Sequence, residues 1–234
     1  MTIIYRCVLE LHDSLYFATR EIGRLYETEP IVHNYALSYA LGLVDSDRYA
    51  TTVAEAHSYR YFCPEQIPKY EEHLTPLNQQ GIYVTPAKVL NYASVLNTWK
   101  YANNNYHVEM EPTSKNIPGF GRTKEIAAES RFEFFIITEK LLQLSRWMRL
   151  GKWASKGELI MEELEHTLKH DEEFTCIHPL NPLDLMFTNR VMSFDTVNMP
   201  PVSLIRNVRM RGDCYCLKGI NIPARMQYRF RGIE

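Results

Sequence analysis

Ile3-Ile4-Tyr5-Arg6-Cys7-Val8-Leu9-Glu10-Leu11 is the stretch whose reading decides the fold class. Ile3, Tyr5, Cys7, Leu9 and Leu11 recur at every second position, the period of a strand with one face on a core. The run predicts a half-buried first strand. Working outward, Glu129 to Thr138 (Glu-Ser-Arg-Phe-Glu-Phe-Phe-Ile-Ile-Thr) predicts another. Shorter strand-like runs fall at 81–86, 88–99, 106–111, 202–209, 213–219 and 225–230. Helical patterns are fewer. Residues 18–27 put Ile22 and Leu25-Tyr26 on one side and Arg20 and Arg24, four apart, on another. Val32 to Val44 reads as a second helix, and 139–145 as a helical turn. Residues 157–170 favour helix by composition but leave a strand open. Strands with a few helices between them indicate α+β, not a doubly wound sheet.

Turn chemistry punctuates the rest. Asn103-Asn104-Asn105, Pro118-Gly119-Phe120-Gly121-Arg122, the run from His178 to Asp184 and Met199-Pro200-Pro201 all read as turns or loops. Residues 45–80 are polar and carry Pro64, Pro68 and Pro76, which predicts an irregular insertion or a long hairpin. With 234 residues, 45% of them hydrophobic, the chain can bury one sizeable core, with an appended subdomain at most. No internal repeat stands out. Tyrosine is abundant, at 15 residues, which suits strands and binding surfaces alike. No apolar run reaches the roughly 18 residues of a membrane span. The opening residues enter the strand pattern directly, so no leader is expected. The five cysteines (7, 63, 176, 214, 216) are odd in number and form no framework. Together these predict a reduced, cytoplasmic protein.

The formal charge of −2 hides a strong internal asymmetry. Lys115 to Lys156 holds nine cations and four anions. Glu158 to Glu173 holds seven anions and one cation, and Arg206 to Arg231 seven cations and one anion. Two basic blocks flanking an acidic one suggest a polyanion surface and a separate partner surface, against the plainer reading of three solvated faces. Arg146-Trp147-Met148-Arg149-Leu150-Gly151-Lys152-Trp153-Ala154-Ser155-Lys156 is the densest part, with four cations and two tryptophans in eleven residues. Cations neutralise phosphates and flat rings stack on unpaired bases, the needs of single-stranded nucleic acid. One of the two tryptophans is expected in the core. Gly119 and Gly121, followed by Arg122 and Lys124 and preceded by Lys115, would let backbone amides approach a phosphate; a plain hairpin turn is the alternative. The spacing is neither a dinucleotide fingerprint nor a P-loop.

His166, His170, Cys176 and His178 are zinc-type donors, but their spacing matches no closed structural site. Cys214 and Cys216 share a strand face and read as core. No Ser-His-Asp elbow, HExxH or paired-carboxylate signature is present. A metal-independent ribonuclease needs His, Tyr and Lys at one phosphodiester. His57, Tyr59 and Lys115 supply the types, with nothing to show that they converge.

Five stretches together resemble one family. They are the opening Ile4–Asp13 run, Ala18–Tyr26, Arg149–Lys156, the His178–Asp184 loop and Asn198-Met199-Pro200-Pro201. The chain is similar to the Csc-one proteins, the fifth-class Cas subunit of type I-D CRISPR Cascade, from near residue 3 to near residue 230. The resemblance implies a single domain over 1–234 of the RAMP superfamily. Its core would be ferredoxin-like (RRM-type), with an inserted thumb, placed here at 45–110, and additional C-terminal strands. It implies a non-catalytic subunit of an antiviral interference complex, present in one copy, with no cofactor and no metal. That subunit would cap the 5′ handle of crRNA and contact the backbone and large subunits. It would also help position the PAM end of target DNA. A counterpart in another subtype processes precursor crRNA, so the metal-independent endoribonuclease stays open. The usual RRM aromatic motifs are not evident, so handle recognition would rest on loops. The expected RNA-binding residues are Arg20, Arg24, Lys115, Gly119, Phe120, Gly121, Arg122, Lys124, Arg146, Arg149, Lys152, Trp153 and Lys156. Phe120 and Trp153 are the expected stacking rings.

Overall fold

The structure is a computed structural model that describes residues 2–44, 69–101, 119–185 and 189–230. Its elements begin with β1 (Ile3–Leu11), β2 (Arg20–Ile22), β3 (Leu25–Glu27), β4 (Ile31–Val32), α1 (Asn34–Ala40) and α2 (Tyr70–Gln79). Next come β5 (Ile82–Val84), β6 (Ala87–Asn91), β7 (Ser94–Tyr101), β8 (Gly119–Ile126) and β9 (Arg131–Thr138). The last are β10 (Trp147–Leu150), β11 (Ser155–Leu164), β12 (Thr167–Cys176), α3 (Pro182–Leu185), β13 (Arg190–Val197), β14 (Leu204–Leu217) and β15 (Ile220–Pro223). Largely antiparallel sheet with few helices makes the fold α+β.

The opening alternation does form a strand, and that strand is central. β1 lies between β9 and β11, antiparallel to both, in a sheet ordered β10-β11-β1-β9-β6-β4, with β5 also on β9. Tyr5, Cys7, Leu9 and Leu11 are buried, as the period requires, beside Phe132, Phe134 and Ile136 of β9. The other face is more covered than a half-buried strand predicts, because Ile4, Val8 and Phe135 are buried there too. Phe135 meets the His178 ring at 5.1 Å, so the His178–Asp184 segment helps roof that side. Each large apolar side chain so buried contributes about 1.5–3 kcal/mol.

Several expectations change. Residues 18–27 are the β2–β3 hairpin, not a helix. Gly23 turns it at φ +61°, a conformation glycine reaches without cost, and apolar residues three apart fit two short strands as well as a helix. Gly119–Arg122 is not a loop but the start of β8, which pairs antiparallel with β7 and parallel with β3. Residues 139–145 contain no helix, and 157–170 belong to strands β11 and β12. One long strand, β14 (Leu204–Leu217), replaces the two expected at 202–209 and 213–219, and 225–230 is not a strand. β13 was not expected at all. α2 falls within the polar, proline-punctuated 45–80 stretch expected to be irregular, yet it is helical around Pro76 and its Leu74 and Leu77 are core residues. α1 is shorter than the expected 32–44. Residues 45–68, 102–118 and 186–188 lie outside the described residues, and with them the expected turn at 103–105 and strand at 106–111.

β2-β3-β8-β7 form a second sheet, and β12-β14-β13, with β15 on β14, a third. Loops and helix termini from all parts close on a buried polar network. Asp184 accepts hydrogen bonds from Tyr83 Oη (2.8 Å), Asn34 Nδ2 (2.9 Å) and the Arg229 amide (3.2 Å). Ser38 Oγ and Tyr228 Oη are 2.7 Å apart, and Tyr228 Oη accepts from the Val84 amide. Burial pushes the Asp184 carboxyl up to about 7, against those three bonds. His33 accepts the Tyr35 amide at Nδ1, capping α1, and its Nε2 lies 3.2 Å from Val202 O. His178 Nε2 lies 2.7 Å from Pro86 O and 3.0 Å from Thr85 Oγ1. Burial lowers both imidazoles to about 4.

These shifts set a pH dependence. Between about 4 and 6.5 the unfolded chain carries a proton on each histidine that the folded chain lacks, so the histidine contribution is lost as pH falls. Asp184 works the other way, since the folded chain keeps a proton that the unfolded one releases above about 4. Two protons against one leave stability rising with pH by about 1.4 kcal/mol per unit. Urea unfolding at pH 5 should therefore give about 1 kcal/mol less than at pH 6.5, because near 6.5 the unfolded histidines are already half deprotonated. Equal stability at the two values, or more at pH 5, would contradict the assignment.

Candidate nucleic-acid interface

The basic, tryptophan-containing segment folds as a hairpin. β10 pairs with β11 so that Trp147 faces Glu158 and Arg149 faces Lys156, while Met148 and Leu150 turn into the core. The tip, 151–154, is held down from below. The Lys152 amide donates to Tyr16 O (2.9 Å), and Ser155 Oγ donates to Ser14 O (2.6 Å). Gly151 sits at φ +76°, and a Cβ there would lie 2.7 Å from Leu15 Cδ1 and 2.9 Å from Tyr16 O.

The outer face of the hairpin mixes rings and charges. Trp147 is 41% exposed and Trp153 45%, so neither tryptophan is core, contrary to expectation. Trp147 alternates outward while Met148 and Leu150 fill the core positions, and Trp153 lies in the turn at the hairpin tip. Lys156 Nζ stands 3.8 Å from the Trp147 ring centroid. Arg146 pairs with Glu158 and holds its carboxyl below the usual range. Arg149 lies 3.7 Å from Asp13 and donates to Ala154 O (3.0 Å). Lys152 makes no ion pair among the described residues, and its Nζ is 6.0 Å from the Tyr16 ring.

The second sheet gathers a further group. Register partners share a face, so Leu96, Lys124, Glu27 and Arg20 form one row across β7-β8-β3-β2, and Thr98, Arg122, Leu25 and Ile22 the next. Arg20, Arg122 and Lys124 thus project from the same side. Lys124 Nζ is 3.4 Å from Glu27 Oε1, and Arg20 pairs with Glu27 (3.9 Å) and Glu29. Arg24 occupies the turn, where its carbonyl accepts the Arg122 amide (2.9 Å). That amide is therefore committed to the sheet, and a phosphate here would be held by side chains. Gly119, Phe120 and Gly121 lie along β8; Lys115 lies outside the described residues, as do His57 and Tyr59.

The opposite side of this sheet carries residues that sequence reasoning did not single out. Trp99 Nε1 donates to Thr123 Oγ1 (3.0 Å). Thr123 Oγ1 donates to Glu125 Oε1 (2.6 Å), which also accepts from Asn97 Nδ2 (2.7 Å). Trp153 then joins the two regions: its ring centroid is 5.3 Å from Trp99 and 4.8 Å from Tyr16. The β7–β8 pair and the 146–156 hairpin therefore meet at one aromatic junction, while Arg122 and Lys124 project from the other side of the sheet. No signal in the sequence marks Trp99 or Tyr16, because only strand register brings them to Trp153.

A cleft of about 1000 Å³ is lined by Arg20 together with Lys88 and Arg206. The Asn198-Met199-Pro200 stretch forms one wall. The third sheet departs from the expected division of charge. Arg211 pairs with Asp171 (2.6 Å), Arg209 with Glu173 and Arg225 with Asp213 (3.0 Å). Arg209 and Arg211 of the C-terminal basic block are thus paired with the acidic block, because β12 and β14 are neighbours, and Arg225 with an aspartate of its own block. The zinc-type residues are scattered: His170 pairs with Asp213, His166 packs on Tyr215, and Cys176 and His178 are buried. No group of three or more metal-ligating side chains gathers among the described residues. No helix among them is long and apolar enough to cross a membrane.

A family model described as type I-D CRISPR-associated protein Cas5/Csc1 matches residues 2–231. No curated protein matches the chain. Among solved structures, a CRISPR protein from Archaeoglobus fulgidus is 10% identical with a TM-score of 0.45, over 94% of this chain and 98% of that one. A chain of the type III-B Cmr-beta complex bound to cognate target RNA and AMPPnP is 8% identical with a TM-score of 0.42, over 88% and 86%.

Proposed function

Because the chain belongs to the type I-D CRISPR-associated Cas5/Csc1 family, we propose that it is a non-catalytic subunit of the interference ribonucleoprotein that binds the 5′ handle of crRNA. In that role it contacts the backbone and large subunits, in one copy, and helps position the PAM end of target DNA. The observation that carries the reading is the Trp99–Trp153–Tyr16 junction, which joins the second sheet, on the face opposite Arg122 and Lys124, to the hairpin that carries Arg146, Arg149, Lys152 and Lys156. Cations spread over several strands suit a backbone of regularly spaced phosphates, and rings suit its unpaired bases.

The strand order supports a ferredoxin-like core within the fold. β11-β1-β9-β6 run fourth, first, third, second in chain order with antiparallel neighbours, and α1 and α2 occupy the first crossover. The second crossover, 139–146, carries no helix. On this reading the described part of the thumb is the β7–β8 hairpin, since α2, β5 and β6 contribute to the main core.

The test is binding of the purified chain to RNA carrying the repeat-derived 5′ handle, with EDTA present and RNA length checked afterwards. Intact RNA, held more tightly than a scrambled handle, is the expected result. A shortened RNA would move the assignment to a metal-independent endoribonuclease. No binding at low salt would remove the RNA reading.

A further inference from the structure

We propose that Trp99 is the stacking surface for one unpaired nucleobase, with Trp153 and Tyr16 as its support. The inference rests on the RNA reading above and assigns the base contact to a residue outside the two basic segments. Three observations converge on it. Trp99 is 44% exposed at the surface, so a flat apolar area of the ring is open to a ligand. The ring is nevertheless fixed, because its Nε1 is anchored through Thr123 to Glu125, a carboxylate that is only 1% exposed. A ring oriented in advance loses little freedom on binding, which is the condition for an effective stacking contact. Finally, its register partner on β8 is Gly121. The position directly across from Trp99 on that strand therefore carries no side chain, while Thr123, two residues on, holds the ring nitrogen; a glycine inside a strand often marks close approach of a ligand.

Trp153 is the less suitable ring. It already has two aromatic neighbours within 5.3 Å, whereas Trp99 has one among the described residues. Its place at the hairpin tip puts Lys152 next to the stack. A base on Trp99 would thus have a cation within the same junction for its phosphate. Stacking tolerates any base, so the contact adds affinity at one position of the strand without demanding a sequence there.

The experiment measures affinity for handle RNAs that each carry one abasic ribose, using the unaltered chain, Trp99→Leu and Trp99→Phe. In the unaltered chain one position should lose about 5- to 100-fold when its base is removed. Trp99→Leu should lose a similar factor with intact RNA and become indifferent to that position, while Trp99→Phe keeps most of the difference. Equal affinities of Trp99→Leu and the unaltered chain for intact RNA would overturn this inference and leave the RNA reading standing. Failure of the unaltered chain to bind any of the RNAs would overturn both. A second measurement needs no loss of the ring. The chain has three tryptophans, so Trp147→Phe with Trp153→Phe leaves Trp99 alone. Saturable quenching of its emission by the RNA is expected, and unchanged emission under bound conditions would overturn the assignment.

Discussion

Replacing Arg149 and Lys152 together by Glu is expected to weaken binding of handle RNA by about 100-fold at 0.1 M salt while leaving the fold intact. A charge-assisted hydrogen bond contributes about 1.5–3 kcal/mol, so two lost contacts amount to about 3 kcal/mol or more. Both side chains are exposed, and neither fills the core. Arg149 does stand near Asp13, at 3.7 Å, but an exposed pair of that kind contributes about 1 kcal/mol at most to stability. The affinity loss therefore reports on RNA and not on folding. The salt dependence should fall in parallel, by about 1.4 in the slope of log K against log salt for two single-strand contacts. Filter binding or anisotropy across a salt series measures both quantities. A folded double variant that binds as well as the original would mean that the hairpin tip does not face RNA.

The second large effect is on the fold. Gly151→Val is expected to cost about 3–4 kcal/mol, read as the shift in urea unfolding free energy. Gly151 holds φ at +76°, where a side chain costs about 1–2 kcal/mol, and a β-branched one fits worst. A Cβ would also press on Leu15 Cδ1 at 2.7 Å and Tyr16 O at 2.9 Å. Overpacking of that kind costs about 1–3 kcal/mol more. Neither neighbour can move cheaply. Leu15 is fully buried, and Tyr16 O already accepts the Lys152 amide. Against a typical total of about 5–15 kcal/mol, the loss is large. It should carry RNA affinity with it, since the same contact places Lys152 and Trp153 at the junction. An unchanged unfolding midpoint would show that the tip is not docked as described.

Strong, simple periodicity was legible and weak periodicity was not. β1 and β9 could be read because their apolar residues are dense and the strands are long enough for a period of two to exclude helix. The β2–β3 hairpin could not, because Ile22, Leu25 and Tyr26 satisfy a helical spacing over so short a stretch. The sequence suggests a break at Met210-Arg211-Gly212, which the ladder with β12 and β13 keeps extended as part of β14. The cations of the candidate interface were visible as charge. Their counterions were not, since Asp13 and Glu158 reach Arg149 and Arg146 only through the fold. Trp99 illustrates the limit most clearly. Its anchoring by Thr123, its open flank at Gly121 and its contact with Trp153 all follow from strand register and tertiary packing, which no local pattern encodes.

The most direct test of the whole account is the salt dependence of handle-RNA binding by the unaltered chain. The described cations Arg20, Arg24, Arg122, Lys124, Arg146, Arg149, Lys152 and Lys156 are the candidates for phosphate contact. With roughly four to seven of them engaged, the slope of log K against log salt should be about −3 to −5 for a single strand. A slope in that range, with intact RNA, is the result predicted for a phosphate-gripping subunit. A slope near zero would contradict it, because no surface built from these cations can hold RNA without releasing counterions.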